Sequence, residues 1–391
     1  MKHLQTISFI LLCILQVIIF YVEANALKSY ISIALNAQYL ISFCFVISSP
    51  QSISQSYRHI YNRIIVLIVW VVFCVIVSGV TYSSFVHSFL FILTLGIWFN
   101  IGNKILSSYK NVLITTFICL SIFICFVANS GRAYNMVLNV GPNAGMEVIG
   151  NNLTLGLNNP NETGSFLYFT ITILLSLSFM KIPKIIQMVL RLFACYCCYL
   201  LVLTGCRSCL IALLIVLLLF TVYYKNKRLF NNKRIVLTII CFPILFCIIY
   251  LYLCTNSSLW DVELLGKPLF SGREELFSVF LKDIVSISLF GDTSTYLFSN
   301  MLNLYITLLA NIGILGVLFY IVTSYKVINL LSSTIMSKSQ LFAYVSILGL
   351  YINACSESSL LVAGGKWFFF ALVLYLIASD DSAYTNKLMK Y

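Results

Sequence analysis

Along this chain, long apolar runs alternate with short polar intervals almost from end to end. Runs of bilayer-spanning length occupy residues 7–24, 30–49, 64–82, 84–101, 111–129, 165–181, 184–204, 207–224, 235–254, 299–324, 340–360 and 366–379. About 20 apolar residues in a helix cross the hydrocarbon core. The apolar positions within each run are continuous rather than alternating, which predicts helices and not the strands of a barrel. A lipid-embedded backbone must satisfy its donors and acceptors within its own segment, and a helix does so. The pattern predicts an all-α, polytopic helical membrane protein, a single integral domain with about twelve transmembrane helices.

Two polar intervals are long, at 130–164 and 255–298. The second holds nine charged residues, Asp261, Glu263, Lys267, Arg273, Glu274, Glu275, Lys282, Asp283 and Asp292, and so marks a solvent-facing site candidate. Within it, "SGRE" at 271–274 has capping-box spacing, with Ser271 as the cap and Glu274 reaching back to the Ser271 amide. Leu276, Phe277, Phe280, Leu281 and Ile284 then recur at helical spacing, while Arg273, Glu275, Ser278, Lys282 and Asp283 take other faces. An amphipathic helix over 272–285 follows, too short to span and suited to the membrane surface.

Composition then narrows the function. Hydrophobic residues make up 61% of the chain and charged residues 9%, which excludes an ordinary water-soluble domain. The formal net charge of +12 would suit nucleic acid, but 16 of the 24 Lys and Arg fall on the amino-terminal side of the bilayer. Seven lie on the other side, and Arg191 stands inside a run. The basic excess is therefore a topology signal that places both termini in the cytoplasm, and no nucleic-acid partner is expected. Lys2 and the "ANA" at 24–26 resemble a signal peptide, but the apolar core is long for one, so an uncleaved anchor is expected. The basic stretch 224–234 is expected to lie against anionic lipid headgroups.

Most of the 14 cysteines sit inside apolar runs, as small buried hydrophobes do. Cys206 and Cys209 have C-x-x-C spacing without a second pair or a histidine cluster, so packing is the expected role and no metal is predicted. Neither a phosphate-binding loop nor a dinucleotide glycine fingerprint occurs, so no cofactor is expected and chemistry should face outward.

Two arginines are the leading candidates for that chemistry. Arg273 falls in the first turn of the expected amphipathic helix, where unpaired amides attract anions; pairing with a local glutamate is the alternative. Arg207, in "TGCRSC", stands at the outer mouth of a span, where charge is costly and usually kept for a ligand. Together they could clasp one diphosphate. Glu357, near the outer end of the 340–360 run, is the first candidate for a general base and Asp292 the second, with snorkelling into water the alternative for Glu357. Arg132, Asn159, Asn161, Tyr296 and Tyr305 stand in or beside the two long polar intervals and are further candidate contacts. Turn formation and interface anchoring are the other readings of these residues.

Four stretches resemble the family of O-antigen polymerases and ligases: "TGCRSCLIALL", "FSGREELFSVFLKDIVSISLFG", "NLYITLLANIGILGVLFYI" at 303–321, and "GLNNPNETGSFL" at 156–167. They are similar, in the family's order, to its Thr-Gly-Ser-Arg span start, its Ser-Gly-Arg segment, its Asn-x-Tyr-Leu helix and its Asn-Pro-Asn segment. Cys206 replaces the usual Ser, and Leu302 stands where the ligase branch commonly carries His, which favours a polymerase. The resemblance implies a metal-independent glycosyltransferase in the bacterial inner membrane with a periplasmic active site. It would join undecaprenyl-diphosphate-linked oligosaccharide units among membrane lipids, and a chain-length regulator remains open as a further partner. On that resemblance Arg132, Asn159 and Asn161 could hydrogen-bond sugar hydroxyls, and Tyr305 or Tyr296 could offer an aromatic face. Transfer to lipid A-core by a ligase, and a lipid-linked oligosaccharide flippase, are the alternatives.

Overall fold

The computed structural model describes residues 2–24, 55–81, 110–128, 160–226, 233–260, 289–293, 303–332 and 337–355, with shorter pieces elsewhere. Arg132, Asn159, Arg273, Tyr296 and Glu357 lie outside the described residues, as does most of 272–285, where Phe277 and residues 280–282 are helical.

The chain is helical: α1 (Lys2–Ala24), α2 (Gln55–Val77), α3 (Lys110–Ala128), α4 (Pro160–Ser178), α5 (Lys184–Thr204), α6 (Arg207–Lys225), α7 (Lys233–Cys254), α8 (Leu304–Ser332) and α9 (Lys338–Asn353). Two small antiparallel ribbons complete it. Strand β1 (Val137–Asn139) pairs with β2 (Glu147–Ile149), Val137 opposite Ile149, and β3 (Glu263–Leu264) pairs with β4 (Lys267–Pro268). Among the described residues, α5, α6, α7 and α8 are long and apolar enough to cross a membrane.

Local signals set several boundaries. Pro183 precedes α5, and Gly205 ends it in the left-handed conformation (φ 61°), its amide donating to the Val202 carbonyl at 3.0 Å; only glycine enters that region without steric cost. A reciprocal capping box opens α9. The Gln340 amide donates to Ser337 Oγ at 3.2 Å and the Ser337 amide to Gln340 Oε1 at 3.0 Å, satisfying two donors that the helix cannot.

The centre of the bundle is α4, α9 and the first half of α8. Every α9 residue from Ser339 to Asn353 is buried, as are most of α4 and Leu304–Leu308. Buried hydroxyls on α4 are satisfied by back-bonding to the preceding turn: Thr170 Oγ1 donates to the Phe166 carbonyl at 3.0 Å and Ser176 Oγ to that of Thr172 at 2.7 Å. That allows a polar-studded helix to occupy the interior. The covering helices turn apolar side chains outward, with Ile185 73% and Tyr252 76% exposed. In water such a shell would cost about 25 cal/mol per Å², so it suits lipid.

The 299–324 run, expected as one continuous span, is instead a broken helix. Gly313 in α8 has φ 65° and ψ −177°, a conformation essentially restricted to glycine. Three neighbours receive the freed backbone: the Asp292 amide donates to the Ala310 carbonyl at 2.6 Å, and Trp70 Nε1 and the Cys74 thiol donate to that of Ile312 at 2.9 and 3.9 Å.

Arg191, the charge inside the 184–204 run, rests on the α4–α5 turn. Its Nε donates to Ser178 Oγ at 3.5 Å and its guanidinium carbon lies 5.8 Å from the Phe179 ring centre.

Candidate functional site

The helix hairpins bring the N-termini of α4, α6 and α8 and the C-termini of α5, α7 and α9 to one end of the bundle. Pro160 starts α4, where a fixed φ and a missing N–H cost nothing. Two residues, Gly205 and Cys206, turn the chain from α5 into α6, and Arg207 is the first residue of α6.

Arg207 is half-buried. Cys206, the cap residue of α6, supplies no side-chain capping bond. It packs instead on α4, its thiol donating to the Asn161 carbonyl at 4.0 Å. That contact needs Gly164: a Cβ there would meet Cys206 Cβ, lie 2.7 Å from Cys206 Sγ and 3.5 Å from Cys209 Sγ. The α6 start carrying Arg207 is thus seated on the first turns of α4, which carry Asn161. The two sequence candidates Arg207 and Asn161 share this junction.

Below it runs a seam of amides and thiols. Asn353 Nδ2 donates to Cys209 Sγ at 2.8 Å, and Cys209 Sγ lies 3.7 Å from Ser165 Oγ. Asn303 caps α8, its Oδ1 accepting from the amides of Tyr305 (3.0 Å) and Ile306 (3.2 Å) and from the Cys247 thiol (2.9 Å). Its Nδ2 donates to the Cys355 carbonyl, and the Leu304 amide donates to that of Ala354 at 3.1 Å. The start of α8 is therefore tied to the segment just after α9, where Cys355 lies two residues before Glu357 in sequence. In the sequence Asn303 is marked only as the first residue of the 303–321 stretch; an Asn directly before an apolar run is the signal for this role, since Asn favours caps.

The remaining described candidates sit elsewhere. Asp292 is half-buried against the α8 break, on the α2 side, where the Thr293 amide donates to Ser78 Oγ at 3.2 Å. Tyr305 is a correction. It is 4% exposed, its hydroxyl donates to the Ile240 carbonyl at 2.6 Å and its ring lies edge-on to Tyr320. Burial in the core leaves no aromatic face for a sugar, because the helix periodicity turns this position toward α7. Among the described residues no group of three or more His, Cys, Asp or Glu is placed to hold a metal ion.

The junction can attract an anion. Two adjacent helix N-termini present positive dipole ends, and a guanidinium stands in the first turn of one. Comparison with family models, curated proteins and solved structures yields no match to this chain.

Proposed function

We propose that the protein is a membrane glycosyltransferase that polymerises undecaprenyl-diphosphate-linked oligosaccharides at the outer face of the bacterial inner membrane. The observation that carries this reading is Arg207 in the first turn of α6, beside the start of α4. The charge distribution supports the orientation. Lys181, Lys184, Lys225, Lys233, Arg234 and Lys338 lie at the opposite end of the helices, as cytoplasmic ends require.

In the reaction, an acceptor sugar hydroxyl attacks the anomeric carbon of the donor glycan. The new C–O bond forms as the bond to the diphosphate breaks, and undecaprenyl diphosphate leaves with its negative charge. Arg207, joined by Arg273, stabilises that charge as it develops, which lowers the barrier without a metal. Glu357 takes the hydroxyl proton, with Asp292 the second candidate. Leu302, where a ligase would carry His, favours chain growth over transfer to lipid A-core.

The test is a gel of surface polysaccharide from a strain lacking the gene, complemented with wild type or Arg207→Ala. Glycan capped at one repeat unit, extended to a ladder by wild type alone, is the expected result. Unchanged ladders in every strain would overturn the reading, as would long polymer stranded on the carrier lipid.

A further inference from the structure

Cys206 and Cys209 were expected to be packing residues, and both are fully buried and present as thiols. Their placement does more than fill space. Cys206 is the cap residue of α6 and Cys209 stands three residues on, with the Leu210 amide donating to the Cys206 carbonyl at 3.2 Å. That spacing sets their Cα atoms about 5 Å apart, inside the range a disulfide accepts. Both sulfurs approach one point, the position of a Cβ on Gly164, at 2.7 and 3.5 Å. They are therefore separated by no more than about 6 Å, a gap that rotation about the Cα–Cβ bonds closes.

Cys206 caps α6 and Cys209 stands in its first turn next to Arg207, both with 0% exposure, so the pair meets an oxidant through openings of this end of the bundle. Asn353 Nδ2 donates to Cys209 Sγ, and Ser208 Oγ lies 3.5 Å from Cys206 Sγ. Gly205, Arg207 and Ser208 beside the buried Cys206 are half-buried, whereas Cys209 is enclosed by Ser165 and Asn353, so an opening of the turn uncovers Cys206 first.

We infer that Cys206 and Cys209 form a dithiol modification site that is oxidised to an intrahelical disulfide by an external disulfide. Cys206, as thiolate, attacks one sulfur of the oxidant, making a mixed disulfide and releasing the first thiolate. Cys209 then attacks Cys206 Sγ, the Cys206–Cys209 bond forms and the second thiolate leaves. The two thiol protons end on the two released thiolates, and the chain loses two electrons that the oxidant gains. Ring closure draws Cys209 Sγ away from Asn353 Nδ2. Asn353 Oδ1 already lacks a hydrogen-bond partner, so oxidation leaves a buried amide to rearrange at the end of α9 while stiffening the turn that holds Arg207.

The experiment uses the full chain in native membranes, treated with glutathione disulfide, denatured, alkylated and digested for mass spectrometry before and after reduction. In the wild type, Cys206 and Cys209 are expected to resist alkylation until reduced, with their shared peptide lighter by two hydrogens. In Cys206→Ser and Cys209→Ser, the remaining cysteine is expected to be alkylated without reduction or to carry glutathione. Full alkylation of both residues in treated wild type, or either one bridged to another cysteine, would overturn the inference. The readout is covalent and needs no enzymatic activity, so it stands or falls separately from the polymerase reading.

Discussion

Replacing Asn303 by alanine should loosen the whole site end of the bundle. The side chain accepts three hydrogen bonds, from the amides of Tyr305 and Ile306 and the Cys247 thiol, and donates one to the Cys355 carbonyl. Losing the helix cap costs about 0.5–2 kcal/mol. Each buried backbone group left without a partner adds about 1–3 kcal/mol, and Asn303 itself is 3% exposed, so water does not take over. The combined cost is about 3–6 kcal/mol, a large fraction of the ~5–15 kcal/mol that holds a typical domain together.

The assay is maleimide labelling of Cys247 and Cys355 in detergent-solubilised protein, followed over time and over a thermal ramp. Both thiols are buried and react through openings of the structure. A loss of about 3 kcal/mol in the opening free energy should raise their labelling rates about 100-fold. Asn303→Asp separates the two halves of the interaction. It keeps an acceptor for the α8 amides and loses the donor to Cys355, so Cys355 should respond more than Cys247. Wild-type labelling rates at both cysteines in Asn303→Ala would refute the reasoning.

Three further outcomes follow from the same geometry. Gly313→Ala forces a β-carbon into contact with the Leu289 carbonyl and to 2.6 Å from the Phe290 nitrogen, at φ 65°. Strain and overpacking together should cost about 2–6 kcal/mol, read as a lower detergent melting temperature and a shift in Trp70 emission. Trp70→Phe keeps the ring but removes the donor to the Ile312 carbonyl, and should cost about 1–3 kcal/mol in the same melt. Arg207→Glu should abolish the polysaccharide ladder while changing stability by no more than about 1 kcal/mol, since an acidic residue suits a helix start; a melt lowered beyond that would mark Arg207 as structural.

The apolar pattern made much of the fold legible because lipid imposes one rule on every span. The 184–204 run is α5 to the residue, bounded by Pro183 and Gly205, and the 207–224 run is α6 extended by Lys225. The break in α8 was not legible. Gly313 lies in an apolar stretch that reads as unbroken helix, and what stabilises the break is an indole donor 242 residues away with a loop docked from 289–293. Only the frame of the candidate site was legible. The α6 start carrying Arg207 and the α4 start carrying Asn161 meet through local signals, a left-handed Gly and a helix-opening Pro. Tyr305 was misjudged because a tyrosine near a helix start looks alike in sequence whether it faces the solvent or a neighbouring helix.

The position of Arg207 is the least comfortable for a cation on its helix. A basic residue in a first turn opposes the dipole and forgoes about 0.3–1 kcal/mol that an acidic residue would gain there. The neighbouring α4 follows the ordinary rule, with Glu162 in its first turn, and α6 also follows it at its other end, where Lys225 closes the helix. Lys181, Lys184, Lys225, Lys233, Arg234 and Lys338 all lie at that far end of the bundle. Arg207 stands apart from them, at the end where the described acidic residues Glu162 and Asp292 are found. Topology does not account for it, and helix stability argues against it. Under the proposed reading this exception is a charge held for the donor's diphosphate, an anion for which a helix N-terminus and a guanidinium are jointly suited, and the ladder made by Arg207→Glu is the measurement that decides it.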